Sequence, residues 1–299
     1  MPFYYFMNET TQISAQMVND LRSTTGAGLM DCKRALVEAK GNVEAAIDIL
    51  RKKGLASAAK RADKAAKDGL VTCVISPDGK SGVLLMVSCE TDFVAKTDDF
   101  KNFVKALAEH ILTNDPKDID ALNAQTFKPT GTNVKDSLAA LIGKLGENMA
   151  IRSYQVSRNT GNALVEQYIH LGGKVGVMLT LNYTNAATGA KPEVKTMARD
   201  ICMHIAASSP VAVNRSEVPA DVVAKEKEIA AEQAKGKPPQ AVEKIVNGKL
   251  EKFFAQSCLL EQPFVKNPDI AIKTLVENVG KAAGDTITVR TFKRFQVGA

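Results

Sequence analysis

The sequence contains no tryptophan, five tyrosines and three histidines in 299 residues. Few aromatics stand among its basic residues, which weakens the case for a surface that stacks nucleobases. The five cysteines (Cys32, Cys73, Cys89, Cys202, Cys258) are scattered, odd in number and never arranged as Cys-x-x-Cys. That argues against a disulfide framework and a zinc site and for a reducing, cytoplasmic setting. No apolar run approaches the ~18 residues of a membrane-spanning helix. The start, Met1-Pro2-Phe3-Tyr4-Tyr5-Phe6-Met7, lacks a basic segment and a long apolar one, so it does not read as a signal peptide. Met7 is a candidate start, which would make the first six residues a disordered extension.

Catalytic constellations are also missing. There is no Gly-x-Ser-x-Gly, no metal-ligand pair and no acid–base pair at helix spacing. His110 and His204 flank apolar helix faces and read as packing or capping residues. His170 ends a strand before Leu171-Gly172-Gly173-Lys174, where an interface role and a packing role are both open. Gly26-x-Gly28 fails as a dinucleotide fingerprint: the third position is Asp31, and a helix precedes it where a strand is required. Gly79-Lys80-Ser81 imitates the end of a phosphate loop, but Val74 stands where its first glycine belongs and a strand follows. Neither an enzyme nor a nucleotide-binding protein is expected, and no cofactor or metal.

What is present is an ordinary hydrophobic content of 45% and a mild net charge of +6. The length allows roughly two or three domains. Ser14–Arg22, Leu29–Ala39 and Val43–Lys53 read as three short helices in a compact bundle, with Ser14 and Asn42 as caps and Gly54 as the last stop. The Ala-rich stretch from Leu55 to Asp68, with Lys60, Arg61, Lys64 and Lys67, reads as an exposed helical linker. Strands are expected at Gly69–Ser76 and Gly82–Cys89, joined by the turn Pro77-Asp78-Gly79-Lys80. A helix follows over Asp99–Leu112, with Thr97 and Asp98 as candidate caps. Asn114–Thr132 reads as irregular and Val134–Leu145 as a helix.

Asp92-Phe93 then falls at a strand end, on a short connection before a helix. One reading has Phe93 closing the core beside a solvated Asp92; spacing alone favours it. The other has the pair projecting as a wedge into a partner, since aromatics dominate interface anchors.

Met149–Ser157, Ala163–His170 and Val175–Asn182 read as a second set of strands. A helix with Val194, Met197, Ala198, Ile201 and Ile205 on one face follows. This repeats the order of the first set, as in a weak internal duplication in which Gly82-Val83-Leu84-Leu85 corresponds to Gly176-Val177-Met178-Leu179. Nothing in the second copy matches Thr91-Asp92-Phe93, which favours function over packing there. Asp221–Ala234 and Gln240–Gln256 form a helical hairpin around Gly236-Lys237-Pro238-Pro239, read as an antiparallel coiled coil. Its seam would use Val222, Val223 and Ile229 against Val242, Ile245, Val246, Leu250 and Phe253. Thr286–Val297 alternates as a strand returning to the second sheet. The fold class is α+β.

Leu21-Arg22, Thr25-Gly26-Ala27-Gly28-Leu29-Met30-Asp31-Cys32-Lys33 and Thr91-Asp92-Phe93-Val94-Ala95 together resemble the bacterial elongation factor Ts family. Gly146-Glu147-Asn148-Met149-x-Ile151-Arg152 and Gln262-Pro263-Phe264-Val265 also look like it, so the resemblance runs from about Ile13 to Val297. It implies a ubiquitin-associated-like bundle (8–54), a linker (55–68), a two-subdomain core of small antiparallel sheets with helices (69–148 and 149–214, completed by 257–299) and a projecting coiled-coil hairpin (215–256). The activity implied is guanine-nucleotide exchange on elongation factor Tu, without covalent chemistry.

Thr91, Asp92, Phe93, Val94 and Ala95 would then form an intruding loop that enters the partner's GTPase domain beside its Mg²⁺ site. Leu21, Arg22, Gly26, Gly28, Leu29 and Met30 would pack on that domain. His170, Gly172 and Gly173 would make a second contact in the core. Contacts that some members make through a further C-terminal helical module are not carried over. The alternative is an RNA- or ribosome-binding protein using the basic linker and the coiled coil, which predicts steep salt dependence.

Overall fold

A computed structural model describes residues 12–299; the expectations for Met1–Met7 and the first four residues of the bundle range lie outside them. The protein is α+β. Ser14 caps α1 (Ala15–Thr25), its hydroxyl accepting from Met17 N at 3.2 Å. Gly26 ends the helix in the left-handed region (φ 66°), which a residue with a Cβ enters only with strain. Next come α2 (Leu29–Glu38) and α3 (Val43–Arg61), the latter capped by Asn42. Val18, Leu21, Cys32, Ala35, Leu36 and Ala46 form the bundle's core.

Gly54 does not stop α3, which runs two turns further and absorbs the first half of the expected linker. Its glycine serves close approach instead. A Cβ there would stand 3.4 Å from Ala139 O, and one on Gly143 would stand 3.2 Å from Gly54 Cα. These residues lie where α3 crosses α7 (Val134–Leu145).

Strands β1 (Asp68–Ile75) and β2 (Ser81–Cys89) flank the expected turn, with Gly79 at φ 69°. A one-turn helix α4 (Asp92–Lys96) and the long α5 (Asp98–Asn114) follow. The stretch read as irregular holds α6 (Ile119–Ala124) and the paired strands β3 (Thr126–Phe127) and β4 (Thr132–Asn133). Leu122 and Phe127 are buried there, and Phe127 meets Phe103 edge-on. Isolated apolar residues among polar ones gave no period to read.

After α7 come β5 (Met149–Arg158), β6 (Ala163–Ile169) and β7 (Val175–Tyr183). Strand β5, grouped by position with the second set, joins the first sheet instead, in the order β1-β2-β5. The second sheet is β10-β7-β6, in which β10 (Ile287–Gln296) returns antiparallel to β7 as its alternation predicted. Gly82 and Gly176, equivalent in the proposed duplication, behave alike. An added Cβ at Gly82 would stand 2.9 Å from Val165, and one at Gly176 would stand 2.4 Å from Val71. Val71, Leu84, Val165 and Met178 share one buried cluster.

Helices α8 (Pro192–Ser208) and α11 (Ile272–Ala283) cover the second sheet. All five apolar residues expected on the α8 face are buried, whereas α11 was not anticipated. Between α8 and α11, α9 (Ala220–Gln233) and α10 (Pro239–Ser257) pack on each other. Ile229 is exposed, and Ala230 and Ala234 are buried on that arm instead. The small strands β8 (Pro263–Phe264) and β9 (Asn267–Ala271) precede α11.

The chain divides into two compact units. One holds the described residues up to Gly69, Val87–Ala106 and Pro116–Arg152; the other holds Leu70–Met86, Leu107–Asp115 and Ser153–Ala299. No helix among the described residues is long and apolar enough to cross a membrane.

Candidate functional site

Asp92 and Phe93 do not lie on an open connection. They are the first residues of α4, because Thr91 caps it: its hydroxyl accepts from Val94 N at 3.4 Å. A helix of one turn is not stable by itself. Val94 and Ala95 hold it by burying its inner face. Phe93 points the other way and is 78% exposed, so the reading in which it closes the core does not hold. Asp92 is paired with Lys96 at 2.5 Å across one turn, and that carboxylate raises the lysine's pKa. The Asp92–Lys96 spacing, i to i+4, was a legible signal for this pair.

Thr91 uses every polar atom it has. Its backbone N–H donates to Glu147 Oε2 at 3.0 Å and its hydroxyl to Glu147 Oε1 at 2.6 Å. Its carbonyl accepts from Ala95 N at 3.2 Å and from the Cys89 thiol at 3.1 Å. Downstream, Thr97 caps α5 through Phe100 N, as its position suggested.

The bundle residues divide into two kinds. Leu21 is 1% exposed and belongs to the bundle core, so it shapes the surface from beneath. Arg22 and Gly28 are exposed, and Leu29 and Met30 present 45% and 59% of their surface. Gly26 faces Lys144: a Cβ there would stand 3.2 Å from the ammonium. That ammonium donates to Asp99 Oδ1 at 2.8 Å, in the first turn of α5. Arg51 of α3 pairs with Asp136 of α7, and Lys53 with Asp31 at 2.5 Å, which lowers the Asp31 pKa. The bundle surface and α4 thus belong to one unit, in which α7 meets α3 and, through Lys144, the first turn of α5.

His170, Gly172 and Gly173 belong to the other unit, at the β6–β7 turn. Both glycines have positive φ, and a Cβ on Gly173 would stand 2.2 Å from Leu70 Cδ1. His170 is exposed and its Nδ1 lies 3.0 Å from the Tyr168 hydroxyl. His204 is buried between Gln262 Oε1 (2.8 Å from Nε2) and Val265 N (3.2 Å from Nδ1), a packing role. His110 is buried beside Asn114. Burial raises the Cys73 thiol to about 12 and holds Cys202 high as well, which keeps both unreactive. Among the described residues no three His, Cys, Asp or Glu side chains form a metal-binding group.

The sequence reading gave Glu147 no role. Glu147 appeared only within the Gly146-Glu147-Asn148-Met149 motif of the resemblance, as a carboxylate directly after the helix-ending Gly146, which names no distant partner.

A family profile described as "Elongation factor TS" matches residues 90–299. The chain is 45% identical over 289 residues to an elongation factor Ts of Syntrophotalea carbinolica, covering 96% of this chain and 93% of that protein. It is 46% identical over 288 residues to one of Clostridioides difficile, with the same coverage of each. It is 43% identical over 293 residues to one of Prosthecochloris aestuarii, covering 97% of this chain and all of that protein.

Proposed function

The chain belongs to the elongation factor Ts family, and on that premise we propose that it binds elongation factor Tu in its GDP form and catalyses release of the nucleotide. The observation that carries this is Phe93, a large aromatic held out from a capped turn whose other face is buried. An exposed aromatic on a fixed support fits an interface anchor, because little freedom remains to be lost on docking.

In this reading Thr91–Ala95 enters the GTPase domain beside its Mg²⁺ and phosphate site. Metal and phosphate-loop contacts hold GDP there, so a wedge that shifts the elements carrying them weakens both together. No bond is made or broken, and neither cofactor nor nucleotide binds to this chain. Turning a nearly all-closed population into a nearly all-open one takes differential binding of about 5.5 kcal/mol. One buried aromatic supplies about 2–4 kcal/mol as a hot spot. The remainder falls to Arg22, Gly26, Gly28, Leu29 and Met30 on the bundle and to His170, Gly172 and Gly173 in the core.

The bundle takes the ubiquitin-associated-like role and the α9–α10 pair that of the projecting coiled coil. The division keeps 68, 214 and 256, while 54 falls inside α3 and 148 parts β5 from the sheet it joins, so the bundle extends to the end of α3 and β5 goes with the first subdomain; the cytoplasm is the place of work.

The test is release of a fluorescent GDP analogue from elongation factor Tu into excess unlabelled GDP. Wild-type protein is expected to accelerate it strongly and the Asp92→Ala/Phe93→Ala form weakly, both folded by circular dichroism. Equal acceleration by the two would move the mechanism to the bundle and core contacts. No acceleration by either rejects exchange.

A further inference from the structure

Behind α4 the chain closes a reciprocal clasp. Residues 90 and 91 lead into the turn, and residues 147 and 148 lead out of α7. Each pair gives a carboxylate to the other's backbone. Glu147 accepts from Thr91 N and Oγ1 at 3.0 and 2.6 Å, while Glu90 Oε1 accepts from Asn148 N at 2.5 Å. The end of α3 is drawn into the same clasp. Arg61 donates to Glu90 at 3.2 Å, and the Asn148 side-chain amide donates to Ala62 O at 3.2 Å and Lys64 O at 2.7 Å.

The clasp solves a local conflict. In a capping box, the third helical residue is Glu or Gln and reaches back to the N-cap N–H. In α4 that residue is Val94, which is buried and supports the turn from beneath. A carboxylate there would lose the packing that holds the turn. The missing acceptor is therefore brought from 56 positions away, by Glu147. The turn's own cap, Thr91 to Val94, does not involve Glu147. Glu147 adds a second tie, from the start of the turn to the chain that leaves α7.

We infer that Glu147 is a positioning residue for nucleotide exchange: by gripping Thr91 it fixes the direction in which Phe93 projects. This rests on the exchange reading above. It touches neither nucleotide nor reacting atoms. Losing it leaves the bundle and core surfaces in place, so encounter with the partner survives while the wedge is less often aimed correctly. A hydrogen bond to a charged group sets the scale, on the order of tenfold in rate.

The experiment is a saturation series of GDP release against concentration of this protein, for wild type, Phe93→Ala, Glu147→Ala, Glu147→Gln and Thr91→Val. Glu147→Ala is expected to lower the maximal release rate about tenfold, with a half-saturating concentration changed less than about threefold. Glu147→Gln keeps one acceptor oxygen and should recover part of the loss. Glu147→Ala combined with Thr91→Val should lose less than the product of the two single changes, since both delete the Thr91 hydroxyl–Glu147 contact while each also removes one the other keeps, the Thr91 N–H bond and the Val94 cap. Amide hydrogen exchange on the free protein gives an independent readout: protection at Thr91 and Val94 should fall in Glu147→Ala, with the bundle and the second sheet unchanged.

A wild-type maximal rate in Glu147→Ala, or a loss confined to the half-saturating concentration, overturns the inference. Should Glu147→Ala fail to fold, Glu147→Gln decides: a wild-type rate with wild-type protection at Thr91 overturns it equally. The exchange reading fails differently, through no acceleration by wild type, and the wedge reading through full acceleration by Phe93→Ala.

Discussion

Phe93 shows what a single residue contributes when most of its surface faces away from its own chain. It is 78% exposed, so Phe93→Ala should shift unfolding by less than about 0.5 kcal/mol in a urea titration. A loss above 2 kcal/mol would mean that the ring is buried in solution. His204 is the opposite case. Burial lowers its pKa below the ordinary 6.5, against an opposing hydrogen bond to Gln262. Between the folded value and 6.5 the unfolded chain binds more protons, so stability is full above about pH 6.5 and falls as pH drops through that window. Urea midpoints measured from pH 7.5 to 5 should fall more steeply for wild type than for His204→Gln; equal slopes would show an ordinary folded-state pKa. Caps such as Ser14, Asn42 and Thr97 were legible because they act within three residues. Phe93 was ambiguous because spacing cannot tell an aromatic that closes a core from one that leaves it. Glu147 was illegible because its partner lies far along the chain.

Elements were legible where one face carried a period. Helices α7 and α8 and strand β10 follow their apolar spacing closely. Glycine misled at Gly54, since the residue that ends a helix also permits two helices to touch, and local sequence does not say which. The grouping of β5 failed for a related reason: pairing is settled by hydrogen bonds between strands, not by order in the chain. On α9, Ile229 is the more apolar residue, yet the closely packed seam uses Ala230 and Ala234.

The α3–α7 crossing makes its own prediction. Gly143→Leu must push the helices apart and should cost about 1–3 kcal/mol by overpacking, outweighing the gain in helix propensity. Gly248→Ala, in α10 with open space around it, should instead stabilise by up to about 1 kcal/mol. Thermal or urea unfolding of both variants tests the pair. A stable Gly143→Leu would mean that α3 and α7 are not in contact there.

On the scale of the whole molecule, the proposed activity is a coupling between two ligands of one partner. If this protein weakens GDP binding to elongation factor Tu by some factor, GDP must weaken this protein's binding by the same factor. The two legs are measured independently: GDP affinity with and without saturating exchange factor, and exchange-factor affinity with and without saturating GDP. Equal factors are required by thermodynamics; their size is the property of this protein. Reaching about 5.5 kcal/mol requires several contacts, because one aromatic hot spot supplies about 2–4 kcal/mol. Phe93→Ala should therefore shrink both factors together without abolishing them. Met30→Ala, on the exposed bundle surface, reports something different. If the bundle only tethers, it weakens binding to the GDP-bound and nucleotide-free partner alike and leaves the coupling factor at its wild-type value. If the bundle helps displace the nucleotide, the factor falls as it does for Phe93→Ala. An unchanged factor in Phe93→Ala would remove the wedge from the mechanism, however much overall affinity that variant had lost.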